Sequence, residues 1–155
     1  MSAETRPAGL RKIELRPLEP LDGALELMFY GWRGMTREAD DYLAGLGLSR
    51  VHHRILFVVA RRDGLTVGEL LGALGLSKQA VHRPMRQLLE GNYLRSEREA
   101  GRRRFKVLTL TGCGSEVERE ASNRERRVMA DAFEEAGPAA REAWLAVMAA
   151  VSRRA

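Results

Sequence analysis

The sequence predicts a mostly α-helical protein with one small β-hairpin. Long segments at both ends of the chain carry apolar residues three and four positions apart, which is the spacing of one face of an amphipathic helix. Further helices are predicted in the middle of the chain. Each is preceded by a Ser or Thr that can cap its start and followed by a Gly that can end it. Two short β-type segments between positions 93 and 110 flank a charged turn that contains glycine. We therefore expect a helical fold around a minimal sheet.

The composition is that of a folded protein of about one domain with appended helices. The chain has 155 residues, of which 45% are hydrophobic and 30% are charged. No apolar run approaches the ~20 residues that a membrane span needs, and the N-terminus lacks the apolar core of a secretory signal. The single cysteine, Cys113, excludes an intramolecular disulfide. We therefore expect a cytoplasmic protein without membrane association, beginning with a flexible N-terminal arm over residues 1–19.

The first two helices are predicted over residues 20–46 and 50–62. Gly47 can end the first helix, and Ser49 is a good N-cap for the second. The apolar stripe of the first helix consists of Leu21, Leu25, Met28, Trp32, Met35, Ala39 and Leu43. The inward residues of the second helix are Val51, Ile55, Leu56, Val58 and Val59.

A helix-turn-helix follows these two helices. Thr66 and Glu69 are predicted to form a capping box at the start of a short third helix. In a capping box the side chain of each of the two residues bonds to the backbone amide of the other. That helix ends near Leu74, and Gly75 supplies the turn before Ser77 caps a fourth helix. Two helices joined by a short turn with glycine are typical of this motif. The inward face of the fourth helix consists of Val81, Met85 and Leu88.

Pro84 lies in the middle of the fourth helix, where proline costs about 3 kcal/mol relative to alanine. It lacks the amide that would bond to the carbonyl of Ala80, so a kink is expected there. One hypothesis is that the kink angles residues 77–83 relative to the anchored second half of the helix. The alternative is that core packing absorbs the cost without a functional role, and the sequence favours neither.

The hairpin comes directly after the helix-turn-helix, with strands at 93–98 and 102–110, so we interpret it as a wing. Thr111 can cap a long fifth helix to about Ala136, and Pro138 suits the first turn of a sixth. We expect a winged helix-turn-helix over residues 49–110, flanked by helices over 20–46 and 111–155. The stripes of the last two helices consist of Val117, Ala121, Val128, Ala132 and Phe133, then Ala140, Trp144, Val147, Met148 and Val151.

The long terminal helices predict a homodimer. One small domain cannot easily bury all of their apolar stripes, whereas two copies can cover them by interdigitating these helices. We therefore interpret residues 20–46 and 111–155 as dimerisation helices. The alternative is a monomer whose helices fold back on the winged core.

The positive charge is concentrated in one segment. Residues 77–106 contain nine Lys or Arg and three acids, a balance of +6, whereas the whole chain carries +5. Such focusing is typical of an element that binds nucleic acid, although an arginine-rich chain can also cluster charge by chance.

The outward face of the fourth helix carries the candidate DNA contacts. Gln79 can pair with adenine N6/N7 and Arg83 with guanine O6/N7 in the major groove. Lys78 and Arg86 are better placed to hold phosphates, and Ser77 can cap the helix and touch a phosphate. The alternative is an ordinary solvated helix face. The complete set consists of Ser77, Lys78, Gln79, His82, Arg83 and Arg86, with Arg102, Arg103 and Arg104 from the wing.

The order of these elements resembles the MarR family of bacterial winged helix-turn-helix transcription regulators over roughly residues 21–150. The specific segments are GLTVGELLGALGLSKQAVHRPMRQLLEGNYL and LTGCG at 110–114, which is similar to the family's Leu-Thr-x-x-Gly. The resemblance implies a homodimeric repressor or activator on a pseudo-palindromic operator, released by a small aromatic or anionic ligand. One departure is the wing, where the family's Asp-x-Arg is replaced by Arg102-Arg103-Arg104.

The resemblance also suggests a ligand cavity between the dimerisation helices and the winged core. Arg33 would suit a carboxylate, and for each candidate a plain packing or surface role is the competing interpretation. His52 and His53 are adjacent on a helix and point about 100° apart, so we expect no metal site and no cofactor. The ligand candidates are Tyr30, Arg33, His53 and Phe57.

Three other functions were weighed against a DNA-binding regulator. Cys113 near a helix N-terminus could sense oxidants, because such positions lower a thiol pKa. A winged-helix interaction module could instead use the basic face on an acidic protein or on RNA. An enzyme is disfavoured, because the sequence shows no phosphate loop, no nucleophile elbow and no clustered acid–base or metal constellation.

Overall fold

The structure is a computed structural model that describes residues 16–62, 64–98 and 106–155. Most of the predicted arm and most of the wing turn therefore lie outside the described residues. The helices are α1 (Asp22–Gly45), α2 (Arg50–Ala60), α3 (Val67–Leu74), α4 (Lys78–Glu90), α5 (Gly112–Ala136) and α6 (Pro138–Ser152). The strands are β1 (Leu65–Thr66), β2 (Leu94–Arg98) and β3 (Lys106–Leu110). The predicted fold class, mostly helical with a small hairpin, is confirmed.

The chain forms two compact units, one ending at Trp32 and the other spanning Arg33–Ala155. In the first unit, the carboxylate of Asp22 accepts the backbone N–H of Leu18 at 2.6 Å and of Glu19 at 2.9 Å. These bonds hold the residues before Asp22 in a turn, which is why α1 begins two residues after the predicted Pro20. They also keep the pKa of the Asp22 carboxyl below its usual value, with the Glu19 amide contributing most.

The second unit has one hydrophobic core, which α2 crosses. α2 is amphipathic, and its inward residues Ile55, Leu56 and Val59 are buried as predicted. It ends at Ala60 rather than the predicted Arg62, because the Arg61 amide bonds to Val58 three residues back and tightens the last turn. The residues buried around α2 include Ala39, Leu43, Leu65, Leu70, Val81, Leu88, Leu94, Leu108, Val117 and Ala121.

A three-stranded antiparallel sheet has the order β1-β3-β2. β2 and β3 form the predicted hairpin, in register from Leu94 opposite Leu110 to Arg98 opposite Lys106. β1 was not predicted from the sequence. It pairs Leu65 with Leu108, and a two-residue strand whose partner is over forty positions away leaves no local pattern to detect.

The predicted caps hold the helix-turn-helix together. Thr66 Oγ1 accepts the Glu69 amide at 3.3 Å while a Glu69 carboxylate oxygen accepts the Thr66 amide at 2.9 Å, which confirms the capping box. Gly75 adopts a left-handed conformation with φ 62°, where a side chain would be strained. Ser77 Oγ accepts the Ala80 amide at 3.2 Å and starts α4.

Apolar side chains remain exposed on two helices. In the first unit Leu21, Leu25 and Trp32 are exposed, and α6, which is described in full, contains no buried residue. Within the described residues no single helix is long and apolar enough to cross a membrane. The pair α1 and α2, bent by 99° at the break between them, is long and apolar enough together, by length and composition only.

Candidate nucleic-acid interface

α4 presents the predicted contact residues on one surface. Its hydrophobic face is buried by Val81, Met85 and Leu88, which turns the opposite face to solvent. Arg86 pairs with Glu90 on the same helix at 3.6 Å, and an ion pair between groups this exposed contributes little to stability. The exposed residues on this face are Ser77, Lys78, Gln79, His82, Arg83 and Arg86.

Pro84 is half-buried and lies inside α4, which continues from Lys78 to Glu90 around it. Proline removes one backbone hydrogen bond from a helix interior, so the packing of the buried residues on either side of it must offset that loss. Pro84 lies next to the buried side of α4 rather than among the exposed candidate contacts. This position agrees with the expected packing of the ring against the buried side chains.

The wing contributes basic side chains beside α4. Arg95 and Arg98 on β2 and Lys106 on β3 are exposed. The predicted contacts Arg102, Arg103 and Arg104 lie outside the described residues.

The LTGCG segment joins the wing to α5. Thr111 Oγ1 donates to the carbonyl of Asn92 at 2.6 Å and accepts the Gly114 amide at 2.9 Å, so one hydroxyl caps α5 and ties it to the start of β2. A Cβ on Gly114 would lie 1.9 Å from the carbonyl oxygen of Tyr93. The glycine is therefore required by the close approach of two backbones.

A chain of hydrogen-bonded polar side chains, the α2–α5 chain, connects these two helices. Arg61 donates to Glu118 at 2.7 Å, and Ser122 donates to the same Glu118 oxygen at 2.6 Å. Burial opposes the negative charge of Glu118, but the bonds from Ser122 and Arg61 outweigh it and hold the pKa of that carboxyl below its usual value. These bonds fix α5 against α2 at a defined register.

His53 lies at the centre of this α2–α5 chain and is 1% exposed. Because the Ser122 hydroxyl donates to Glu118, it must accept from His53 Nε2, at 3.1 Å. His53 Nδ1 then accepts from Arg50 Nη1 at 3.2 Å, which describes a neutral ring. Arg50 also pairs with Glu125 on α5, and with Asp40 on α1 at 2.6 Å.

We expect the free energy of unfolding to fall as the pH drops below about 6.5, the ordinary histidine value. Burial lowers the pKa of both His52 and His53. Just below the ordinary histidine pKa the two rings therefore stay neutral in the folded chain but already bind protons in the unfolded chain. Acid then favours the unfolded state, and stability that is fully present above the ordinary value is lost as the pH falls towards the lowered pKa. Urea denaturation at about pH 7.5 and 5.5 measures this loss.

A variant with both His52→Gln and His53→Gln should lose most of this pH dependence. His82→Gln is the matched control, because His82 is exposed on α4. An unfolding midpoint of the unsubstituted protein that stays constant between the two pH values would show that the buried rings are not held neutral.

A cavity of about 770 Å³ lies in the second unit next to this polar chain. Phe57 borders it from α2 and carries the Arg61 guanidinium 3.4 Å above its ring centre, a cation–π contact. His53 reaches the cavity through Ser122, and its ring packs edge-on against Phe57 at 6.2 Å. The lining residues are Met35, Phe57, Ser122, Glu125, Arg126, Met129, Ala130, Phe133, Glu134, Gly137, Pro138 and Arg141.

The other two ligand candidates, Tyr30 and Arg33, are not among the residues that line this cavity. Tyr30 belongs to the first unit and packs edge-on against Phe29 at 5.3 Å. Arg33 begins the second unit and is exposed. Over the described part of the chain, no group of three or more His, Cys, Asp or Glu is placed to hold a metal ion, and Cys113 is exposed at the second residue of α5.

Several connecting residues were not foreseen from the sequence. Gln87 on α4 shows no sequence signal for this role, and its Oε1 lies 3.0 Å from His52 Nε2 on α2. Glu118 and Ser122 stand four positions apart on α5, a spacing that places them on one helix side. That spacing is a usable signal, but it does not identify Arg61 and His53 as the partners.

Comparison with known proteins identifies the family. Residues 46–104 match the sequence profile of the MarR family. The chain is 36% identical over 122 residues, 79% of its length and 74% of the other, to the HTH-type transcriptional regulator PetP of Rhodobacter capsulatus.

Two solved structures share the fold. A MarR protein from Peptoclostridium difficile aligns with a TM-score of 0.75 at 17% identity, covering 92% of this chain and 94% of that one. A MarR-family transcriptional regulator from Silicibacter pomeroyi aligns with a TM-score of 0.68 at 24% identity, covering 84% and 89%. The helix-turn-helix is followed by the hairpin, and the relatives of known structure share this fold. The chain therefore belongs to the MarR family of winged helix-turn-helix transcription regulators.

Proposed function

We propose that the protein binds a pseudo-palindromic DNA operator as a homodimer in the cytoplasm and represses transcription. The observation that carries the proposal is α4, which buries one apolar face and exposes polar and basic residues over the whole of the other. A helix whose apolar face packs on the core and whose polar face is exposed can enter a major groove.

The outward residues divide into two roles. Gln79 and Arg83 lie within the first turns of α4, where a recognition helix reaches base edges, and their side chains match adenine and guanine respectively. Lys78 and Arg86 hold phosphates together with Ser77, and these contacts set the position of the helix without reading sequence. His82 lies between the two base-reading residues, and Arg102, Arg103 and Arg104 would bring the wing to the adjacent backbone.

The homodimer is supported by the exposed apolar residues of the terminal helices. Trp144 and Val147 on α6 are 42% and 58% exposed, and Leu25 on α1 is 68% exposed. A row of exposed apolar side chains on one helix, such as Trp144 and Val147 on α6, mainly occurs where another chain covers it. A second copy would do so and would place two α4 helices on one duplex.

Arg83→Ala should weaken binding to the selected operator by about fivefold to 150-fold, the equivalent of ~1–3 kcal/mol. Its guanidinium is proposed to read a guanine, so preference at one base position should relax as well. The operator is obtained by selecting duplexes from a random pool with the purified protein, and affinity is measured by fluorescence anisotropy with scrambled duplex as competitor.

Arg153→Ala, which removes one positive charge from the end of α6, is the matched control and should keep the original affinity. Lys78→Ala should lower affinity for all duplexes alike and reduce the slope of affinity against salt by about one. Selection that enriches no sequence would disprove a sequence-reading regulator and favour the alternative interaction module.

We further propose that a small aromatic or anionic ligand releases the DNA. The cavity beside Phe57 supports this, because aromatic and aliphatic walls surround a charged lining of two arginines, Arg126 and Arg141, and two acids, Glu125 and Glu134. The aromatic part of a ligand would pack on the walls, and an anionic group would pair with an arginine. A ligand there would contact α5 and α2 together and so change how these two helices pack against each other. Titration of the protein–operator complex with benzoate tests this, and Phe57→Ala should weaken the release.

A further inference from the structure

His52 connects the beginning of α2 to the helix that carries the proposed DNA-reading residues. The residue is 5% exposed. Its Nδ1 accepts the backbone N–H of Ser49 at 3.0 Å, so in the neutral ring the hydrogen sits on Nε2. Nε2 therefore donates to Oε1 of Gln87 on α4, also at 3.0 Å. Each helix thus engages one of the two ring nitrogens.

The bond to Gln87 restrains α4 in a way that its apolar contacts do not. Val81, Met85 and Leu88 hold α4 against the core, but hydrophobic contacts are non-directional and tolerate small rotations. A hydrogen bond is directional and weakens as its angle departs from linearity. Gln87 lies one helical turn after Arg83, so the restraint acts close to a residue proposed to read a base.

We propose that His52, acting through Gln87, is a positioning residue for the recognition helix, and that protonation of its ring weakens sequence-specific DNA binding. The inference rests on the function proposed above for α4. A protonated ring carries hydrogen on Nδ1 and cannot accept from the Ser49 amide. The new Nδ1–H can donate to Ser49 Oγ, which lies 2.9 Å from Nδ1. The Ser49 amide, however, then faces a donor instead of an acceptor, so the ring and Ser49 must shift apart and the geometry of the bond to Gln87 changes.

The surroundings of the ring favour the neutral form. Burial lowers the pKa of His52, and the bond to Gln87 opposes this only in part. Ser49 and Gln87, which bond to the ring, carry no charge, and no neighbouring charge is among the causes of the lowered pKa. The titratable and charged side chains on the two helices are Arg50, His53 and Arg54 on α2, with Lys78, His82, Arg83, Arg86 and Glu90 on α4. α5 also packs against α2, and its acids Glu118 and Glu125 act on His53 rather than on His52.

The test measures affinity for the selected operator and for a scrambled duplex between about pH 7.5 and 5.5, using the full chain. The preference of the unsubstituted protein for the operator should decrease as the pH falls. The comparison is made in a His82→Gln background, which removes the exposed histidine of the candidate contact face. In that background His52→Gln can still accept the Ser49 amide but cannot titrate, so its preference should be weaker by about threefold to tenfold at the higher pH and then stay flat.

Gln87→Glu provides a readout that a merely structural role would not move. The new carboxylate still accepts from Nε2 and raises the pKa of the His52 ring, so the pH midpoint of the operator preference should shift upward. His53→Gln is the matched control, because this neighbouring buried ring bonds to α5 rather than α4. It should lower stability and keep the pH midpoint of the preference.

Urea unfolding of each variant confirms that it is folded under the binding conditions. A His52→Gln variant that retains the original pH profile, or a Gln87→Glu variant with an unshifted midpoint, would overturn the inference. Equal binding of selected and scrambled duplex by the unsubstituted protein at about pH 7.5 would overturn the proposed function, and this inference with it.

Discussion

The Gly114→Ala variant is expected to lose about 3 kcal/mol of unfolding free energy, the upper end of what an extra methylene costs in a packed site. The added Cβ would lie 1.9 Å from the Tyr93 carbonyl oxygen, and no side-chain rotation relieves a clash with backbone. The same oxygen accepts the Thr111 amide at 3.1 Å, so α5 and the start of β2 must separate together. Urea denaturation at fixed protein concentration measures the loss.

Gly112→Ala is the matched control for this variant. Gly112 is two residues away at the first position of α5, and a Cβ there meets nothing within 4 Å. Its stability should be unchanged or slightly higher, because alanine restricts the unfolded chain. Equal unfolding midpoints for the two alanine variants would show that the junction of wing and α5 is looser than described.

The Val147→Glu variant is expected to be monomeric and to lose operator affinity by about 10² to 10⁴, the gain that linking two binding modules provides. Val147 is 58% exposed on the apolar side of α6, with Trp144 and Val151 on the same side. A charge at the centre of a proposed subunit contact would have to be desolvated without a partner. Sedimentation velocity measures the oligomeric state, and anisotropy with the selected operator measures the affinity.

Ala149→Glu introduces the same charge at an exposed position that is two residues after Val147 and lies roughly 160° from it around α6. It should remain dimeric and bind the operator with the original affinity. If Val147→Glu sediments as the unsubstituted protein does, the α6 stripe is not a subunit interface. If the unsubstituted protein is itself monomeric, the homodimer proposal is wrong.

The parts of the fold that depend on neighbouring residues were predictable. Thr66, Ser77 and Thr111 each cap the helix expected, because a capping side chain bonds to an amide only two or three positions ahead. The inward and outward sides of α4 are also as predicted, since helical periodicity alone assigns them. The same reasoning identifies the candidate contact face.

The α2–α5 chain shows where such reasoning stops. His53 was interpreted as a candidate for a ligand cavity, and the structure places both of its ring nitrogens in bonds to protein groups. Ser122 bonds to His53 from 69 positions away. No spacing rule connects residues on different helices, because their meeting depends on how the helices pack.

The sequence by itself determined the helices, their caps, the hairpin and the concentration of positive charge between residues 77 and 106. Only the tertiary structure decided that β1 joins the sheet, that Gly114 must approach the Tyr93 carbonyl and that His52 reaches Gln87. The physical reason is range. Local elements are governed by interactions within about four residues along the chain, whereas these three contacts exist only after the core has brought distant segments together.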